Sequence, residues 1–243
     1  MGAWRAQTAM ELRMGLRNGE QLLVSIVIPL VVLVFFSTVD VVPLPAGVDE
    51  AIDVVAPGVL ALAVMSSAMV SLGISVGFER QYGVLKRLGA TPLGRGRWLA
   101  AKVTATLVTI ALQFVVLVPV ALVLGWSPSG PWPLAVPALL AGTAAFAGVG
   151  LLMAGTLRGT LTLALANGVY LLLLLTGGMV VPLEELPAPV EVVSRALPAA
   201  ALTGALGDAV GGAGAPGGAA AWVVLVVWAV AAPAVAAWRF RWQ

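Results

Sequence analysis

The 243-residue chain contains neither cysteine nor histidine. The first absence excludes disulfides and thiolate metal sites. The second removes haem ligation by histidine and every histidine-based acid–base or nucleophilic triad. Charge is also scarce: 10% of residues carry it, against about 25% in a soluble domain. Hydrophobic residues make up 60%, and they come in uninterrupted runs near or above the roughly 18 residues that cross a hydrocarbon core. A soluble fold is thereby excluded, and the composition predicts an all-α integral membrane protein. The 13 basic and 11 acidic residues nearly balance, so nothing in the bulk charge asks for nucleic acid. Their distribution is what informs.

Six apolar runs predict a six-transmembrane-helix bundle forming a single domain over residues 1–243, with spans at about 22–39, 54–78, 103–125, 134–157, 160–181 and 218–238. Pro29 kinks the first, which a bundle tolerates. No small-residue cleavage site follows that run, so no cleaved signal peptide is read. With both termini cytoplasmic, the inner segments hold Arg5, Arg13, Arg17, Arg80, Lys86, Arg87, Arg95, Arg97, Lys102, Arg158, Arg239 and Arg241. Only Arg195 falls outside, together with Asp40, Asp49, Glu50, Asp53, Glu184, Glu185, Glu191 and Asp208. Basic flanks are retained on the cytoplasmic side, and the inverted topology stands twelve to one against that rule. Trp126 and Trp132 on one side, with Trp98, Trp238 and Trp242 on the other, fall where interfacial aromatic belts lie.

Residues 79–102 hold six of the twelve inner basic residues, more than a retention signal needs. Val84, Leu85 and Leu88 group along one side of a helical turn, Arg80, Lys86 and Arg87 stay polar, Gly89 supplies a left-handed stop, and Thr91-Pro92 cap the next helix. The pattern predicts a short amphipathic helix on the cytoplasmic surface. A basic interfacial loop held by anionic headgroups fits the same pattern.

The run Glu79-Arg80-Gln81-Tyr82-Gly83-Val84-Leu85-Lys86-Arg87-Leu88-Gly89-Ala90-Thr91-Pro92, with Lys102 following, resembles the cytoplasmic-loop signature of permeases of type-2 ABC exporters. That signature is an acidic–basic pair, a glycine, a basic–leucine turn, a threonine–proline and a lysine where the next span starts; Val84 departs from it, standing where threonine is common. Length, six spans and inside termini match as well, and the chain is similar to the stand-alone permeases of bacterial drug exporters such as daunorubicin-resistance permeases. The resemblance implies a bacterial plasma-membrane protein that carries no cofactor, ATP and magnesium being bound by a separate ATP-binding subunit. It implies that Glu79, Arg80, Gly83, Leu85, Lys86, Arg87, Leu88, Thr91 and Pro92 form the coupling helix gripped by that subunit. It also implies a homodimer meeting through the first and fifth spans, an N-terminal interfacial helix over residues 1–21, and an extracellular, partly buried segment over 182–217. The cargo is then a small amphiphilic molecule, drug-like or lipid-like, crossing the lipid bilayer by alternating access.

Few polar side chains lie within the runs. Ser71, Ser75, Thr109, Gln113 and Asn167 are candidates for a substrate path, and interhelical hydrogen bonding accounts for such groups equally. No acid or base lies inside a run, which argues against a proton-coupled carrier. Gly89 to Gly96 approaches a phosphate loop but has Arg95 and Gly96 where lysine and a hydroxyl are needed. Gly73-Ile-Ser75-Val-Gly77 fits a nucleophile elbow yet lies in an apolar helix without a histidine, so Gly73 and Gly77 are read as a helix-packing pair. The remaining alternative to a permease is a non-transporting membrane platform, such as an assembly or immunity factor.

Overall fold

The computed structural model describes residues 2–17, 19–39, 44, 48, 50–89, 91, 93–212 and 217–241, and among these every regular element is helical. In order they are α1 (Ala3–Arg17), α2 (Gly19–Thr38), α3 (Ala51–Met65), α4 (Leu72–Gln81), α5 (Val84–Gly89) and α6 (Gly94–Val123). Then come α7 (Ala135–Thr156), α8 (Gly159–Thr176), α9 (Ala188–Arg195), α10 (Pro198–Val210) and α11 (Gly218–Arg239). A π-helical stretch, Ser66–Ser71, joins α3 to α4, so residues 51–81 form one continuous rod.

Five helices are long and apolar enough to cross a membrane: the α3–α4 rod, α6, α7 with its preceding turn, α8 and α11. The run expected to make the first span lies in α2, whose apolar part, Ser25–Thr38, is shorter. α6 begins at Gly94 rather than near residue 103. Hydropathy marks where lipid begins, not where helix begins, and at 1.5 Å per residue α6 is about 45 Å long, well beyond a hydrocarbon core of about 30 Å. α8 ends at Thr176 because Gly177 and Gly178 follow, the latter at φ 67°. Met179 and Val180 then turn back into the core.

Burial separates the spans in a way that composition does not. The most apolar stretch of the rod is 72% buried, against 28% for α6 and 22% each for α8 and α11. The rod is therefore the axis, and the other three face lipid. Glycines let its neighbours approach. A Cβ on Gly73 would meet the Gly150 backbone of α7 at 3.1 Å, and one on Gly77 would meet Thr162 of α8 at 3.2 Å. Without water to drive helices together, such close van der Waals contact is the main source of cohesion.

Within the segment expected to be partly buried, α9 is largely exposed and α10 is deeply packed. α10 lies against α3, α7 and α11, with Leu202 and Leu206 fully buried. Its residues are small, and Gly142 of α7 makes room for Leu202. The Trp228 indole of α11 donates to the Ala196 carbonyl at 2.9 Å, just before α10. Asp208 accepts from the Gly218 amide at 2.5 Å, supplying the first turn of α11 with a carboxylate cap. The Ser129 amide donates to the Val210 carbonyl at 3.1 Å, closing this acidic end of the bundle.

Trp132 and Trp238 are exposed, as an interfacial belt requires, whereas Trp98 and Trp126 are buried at 3% and 5% exposure. Trp98 packs near Phe240 instead, with ring centroids 6.5 Å apart. Trp242 lies outside the described residues.

A Cβ at Gly150 would sit 2.6 Å from the Met69 carbonyl oxygen, a backbone atom that cannot move aside. Gly150→Val is expected to lower stability in thermal or denaturant unfolding by about 1–3 kcal/mol. Gly96→Ala, with nothing within 4 Å of the new methyl, is expected to be neutral or to stabilise by up to about 1 kcal/mol.

Candidate functional site

The basic end of the bundle is organised by the last turn of α4. Neighbours on a helix are separated by about 100°, so Glu79, Arg80 and Gln81 leave in three directions. Glu79 pairs with the Lys102 ammonium of α6, which also reaches Glu11 of α1 at 2.7 Å and Ser75 at 3.4 Å. An ammonium has three donors, and these contacts use all three. Gln7 in turn donates to Glu11 at 2.8 Å, fixing the far carboxylate. The Lys102 side chain is 4% exposed, and its partners Glu11 and Glu79 are 10% and 18% exposed.

Arg80 points the other way. It donates to the Ala154 and Leu157 carbonyls at 2.7 and 3.2 Å. These oxygens end α7, where no intrahelical donor remains and the helix dipole favours a cation. The Gln81 side-chain oxygen accepts from the Gly159 amide at 2.9 Å, at the opening of α8. The Arg241 amide donates to Gly155 at 3.1 Å, bringing the end of α11 to the same turn. One helical turn therefore bonds to α6, α7 and α8, and through Lys102 it is linked to α1.

Beyond it, Gly83 at φ 70° reverses the chain into α5. The left-handed glycines flanking α5 are Gly83 and Gly94, while Gly89, expected to supply that stop, is the last residue of the helix itself. Leu85 is buried at 2% exposure and Leu88 is half-buried. Val84, Lys86, Arg87 and Thr91 are exposed, and so is Tyr82, at 68%, with its ring stacked on Phe78. The Thr91 hydroxyl donates to the Leu88 carbonyl at 2.6 Å, closing the turn. Pro92 lies outside the described residues. Of the nine residues marked as coupling positions, Glu79, Arg80 and Leu85 thus face the bundle.

A cavity of about 290 Å³ opens beside the Lys102 cluster, between α1, α2, the α3–α4 rod and α6. Ser71, Ser75 and Thr109 line it together, joined by Ser25, Ser67 and Thr106. Gln113 is buried just outside, accepting from Ser67 and donating to the Ser25 carbonyl, both at 2.9 Å. Asn167 is elsewhere, exposed on the outer face of α8 and donating to its own Leu163 carbonyl at 2.8 Å. Ser75 lies inside a helix and bonds Glu79, an arrangement unlike an exposed nucleophile. Among the described residues no three metal-ligating side chains converge.

The family profile described as "ABC-2 type transporter" matches residues 3–207, most of the chain and all of the site just described except Arg241. The chain belongs to the ABC-2 type transporter family. It is also 28% identical over 208 residues to the curated "Putative transport permease YvfS" of Bacillus subtilis (strain 168), covering 82% of this chain and 81% of that protein. As an ABC-2 protein with several apolar helices it is a multi-pass membrane protein and a transport component. Members of the family typically work with an ATP-binding subunit.

Sequence reasoning placed Lys102 in the loop signature as the lysine where the next span starts, quoted Tyr82 within the run without giving it a role, and assigned none to Glu11. The usable signals were a lone lysine at the entry of an apolar run, an acid amid the arginines of the N-terminal helix, and an aromatic residue in a polar connector. Removing Lys102 leaves two carboxylates facing each other without a cation. Lys102→Met is expected to lower stability by about 3–5 kcal/mol in unfolding measurements, and adding Glu79→Gln to recover part of that loss by removing one uncompensated charge.

Proposed function

We propose that this ABC-2 protein is the membrane permease of an ATP-driven bacterial exporter. It moves a small amphiphilic, drug-like or lipid-like substrate out of the cell, powered by a separate ATPase subunit that binds ATP and magnesium. The observation that carries this reading is the outward face of α5 and its preceding turn. Tyr82, Val84, Lys86 and Arg87 stand exposed on a connector anchored at both ends. An exposed aromatic residue flanked by cations is the composition of a protein-binding centre rather than of a simple solvated loop. The permease name of the Bacillus subtilis relative supports transport over the alternative of a passive membrane platform.

In this reading α2 is the first of six spans, and the basic end lies in the cytoplasm of the bacterial cell, with both termini on that side. Two copies work together. Asn167 supports this, since an amide on the lipid-facing side of α8 is costly in hydrocarbon and is relieved when a second copy covers it. Gly168 beside it has nothing within 4 Å of a built Cβ, and Leu171 and Val31 are exposed at 56% and 57%. ATP-driven closure of two ATPase subunits then swings the two permeases between inward-facing and outward-facing arrangements. The cavity shared by Ser71, Ser75 and Thr109 is the inner part of the substrate path.

Coupling is tested with the permease–ATPase complex in vesicles. Tyr82→Ala combined with Lys86→Glu and Arg87→Glu is expected to abolish permease-stimulated ATP turnover and transport while leaving membrane insertion and thermal stability unchanged. Leu85→Asp is expected instead to lower the protein's stability, because that side chain is buried. Full ATPase stimulation in the triple variant contradicts the docking role.

A further inference from the structure

The cavity beside Lys102 has an uneven hydrogen-bond inventory. Ser67 donates its hydroxyl hydrogen to Gln113 at 2.9 Å, Ser75 to Glu79 at 3.2 Å, Thr106 to the Lys102 carbonyl at 3.0 Å and Thr109 to the Ala105 carbonyl at 3.0 Å. A hydroxyl carries one donor and two acceptor lone pairs. With the donors engaged, these groups turn lone pairs toward the space they line. The three hydrogens of Lys102 are engaged as well, on Glu11, Glu79 and Ser75. The only ammonium in the lining is therefore closed to a ligand.

The charge is uneven in the same sense. Glu11, Glu79 and Lys102 all border the cavity, and their formal charges sum to one negative. Glu79 meets Lys102 and Ser75 through Oε1, while its Oε2 is buried with no hydrogen-bond partner. A buried carboxylate oxygen without a donor carries a desolvation penalty that a positively charged donor relieves. From Glu79 to Ser67 the lining climbs roughly 17 Å along the rod, from the basic end toward the bilayer middle. This is the length of a head group and a short apolar body.

We propose that this cavity is a binding site for a cationic, hydrogen-bond-donating head group, a primary ammonium or guanidinium, held at its Glu11–Glu79 end with the rest of an amphiphile running toward Ser67. The proposal rests on the export reading for its cargo role and narrows the substrate class to cationic amphiphiles. Anions are disfavoured because the charges bordering the cavity sum to one negative and the Lys102 hydrogens are engaged. Quaternary ammonium ions satisfy the charge but not the acceptors, so they bind more weakly.

The test uses the full-length permease in lipid nanodiscs and dansylcadaverine, a fluorescent amphiphile with one primary ammonium, with empty nanodiscs as the control for partitioning. Saturable binding is expected, displaced by decylammonium and not by decyl phosphate, with decyltrimethylammonium roughly tenfold weaker than decylammonium. Glu79→Gln is expected to weaken probe binding roughly tenfold to a hundredfold, the range for a charge-assisted hydrogen bond. Ser71→Phe, which fills the cavity without touching the charged cluster, is expected to abolish binding and decides the matter if the Glu79 variant fails to fold. No saturable binding, equal displacement by decyl phosphate, or wild-type binding in Ser71→Phe overturns the proposal. The two readings fail separately. Cation binding without ATP-driven movement of any amphiphile by the full complex removes the export reading and leaves the site. ATP-driven export of neutral or anionic amphiphiles by a chain that binds no cation does the reverse.

Discussion

Taking the ammonium of Lys102 out of water costs several kcal/mol unless opposite charge is brought to it, and two carboxylates from two other helices do so. Such a cluster contributes little net stability compared with well-packed apolar residues, but it tolerates few arrangements. Its members come from α1, the end of the rod and the start of α6. Each of these must therefore be held at one height and rotation for the charges to meet. The adjoining side chains repeat the constraint on the opposite face, where Arg80 holds the C-terminal carbonyls of α7 and Gln81 the first amide of α8. The basic end of the bundle is braced by hydrogen bonds around one turn of helix. The acidic end is held differently, by packing of α10 and by the Asp208 cap.

This brace gives the proposed coupling helix something to push on. A six-residue helix on a glycine turn is too short to hold its own shape in water. α5 keeps its position because Leu85 is buried under it and because the rod ends directly before it. A load applied at Tyr82 or Arg87 passes into α4 and from there to α6, α7 and α8, and through Lys102 to α1. Rigid-body movement of the whole bundle follows more readily than local bending. The π-helical stretch higher in the rod, Ser66–Ser71, is where the backbone geometry changes, and Ser67 there is tied to α2 and α6 through Gln113.

Apolar run length was enough to read an all-helical membrane bundle, five of the six runs lying in helices of spanning length and the other in the shorter apolar part of α2. The order of burial was not legible, because the runs over 54–78 and 103–125 have similar hydropathy while the first is the axis and the second faces lipid. What separates them is which glycines face which neighbours, a property of pairs such as Gly73 with Gly150 that a single helix does not display. The depth to which α10 is packed was not legible for a related reason: its small residues mark no buried side until their partners are known. Within the candidate site, Ser71, Ser75 and Thr109 were found from polarity alone, and the structure brings them together. Asn167 carries the same polarity signal but faces outward, and the hydrophobic pattern on one side of a short helix did not show that Leu85 is buried against the bundle. Glu11 contributes from far along the chain, and no local pattern announces a carboxylate that pairs across 91 positions.

The brace is the central claim, and its most direct test is a distance. The chain has no cysteine, so spin labels at Lys86 on α5 and at Arg158 before α8 are placed without background. Dipolar distances are then measured in the permease–ATPase complex with and without ATP. If α5 and the α7–α8 turn move as one body, the distance between these labels within a protomer stays unchanged on ATP binding, while the distance between Lys86 labels on the two copies shifts. A change within the protomer comparable to the change between protomers would mean that α5 moves independently of the bundle, and would contradict the account.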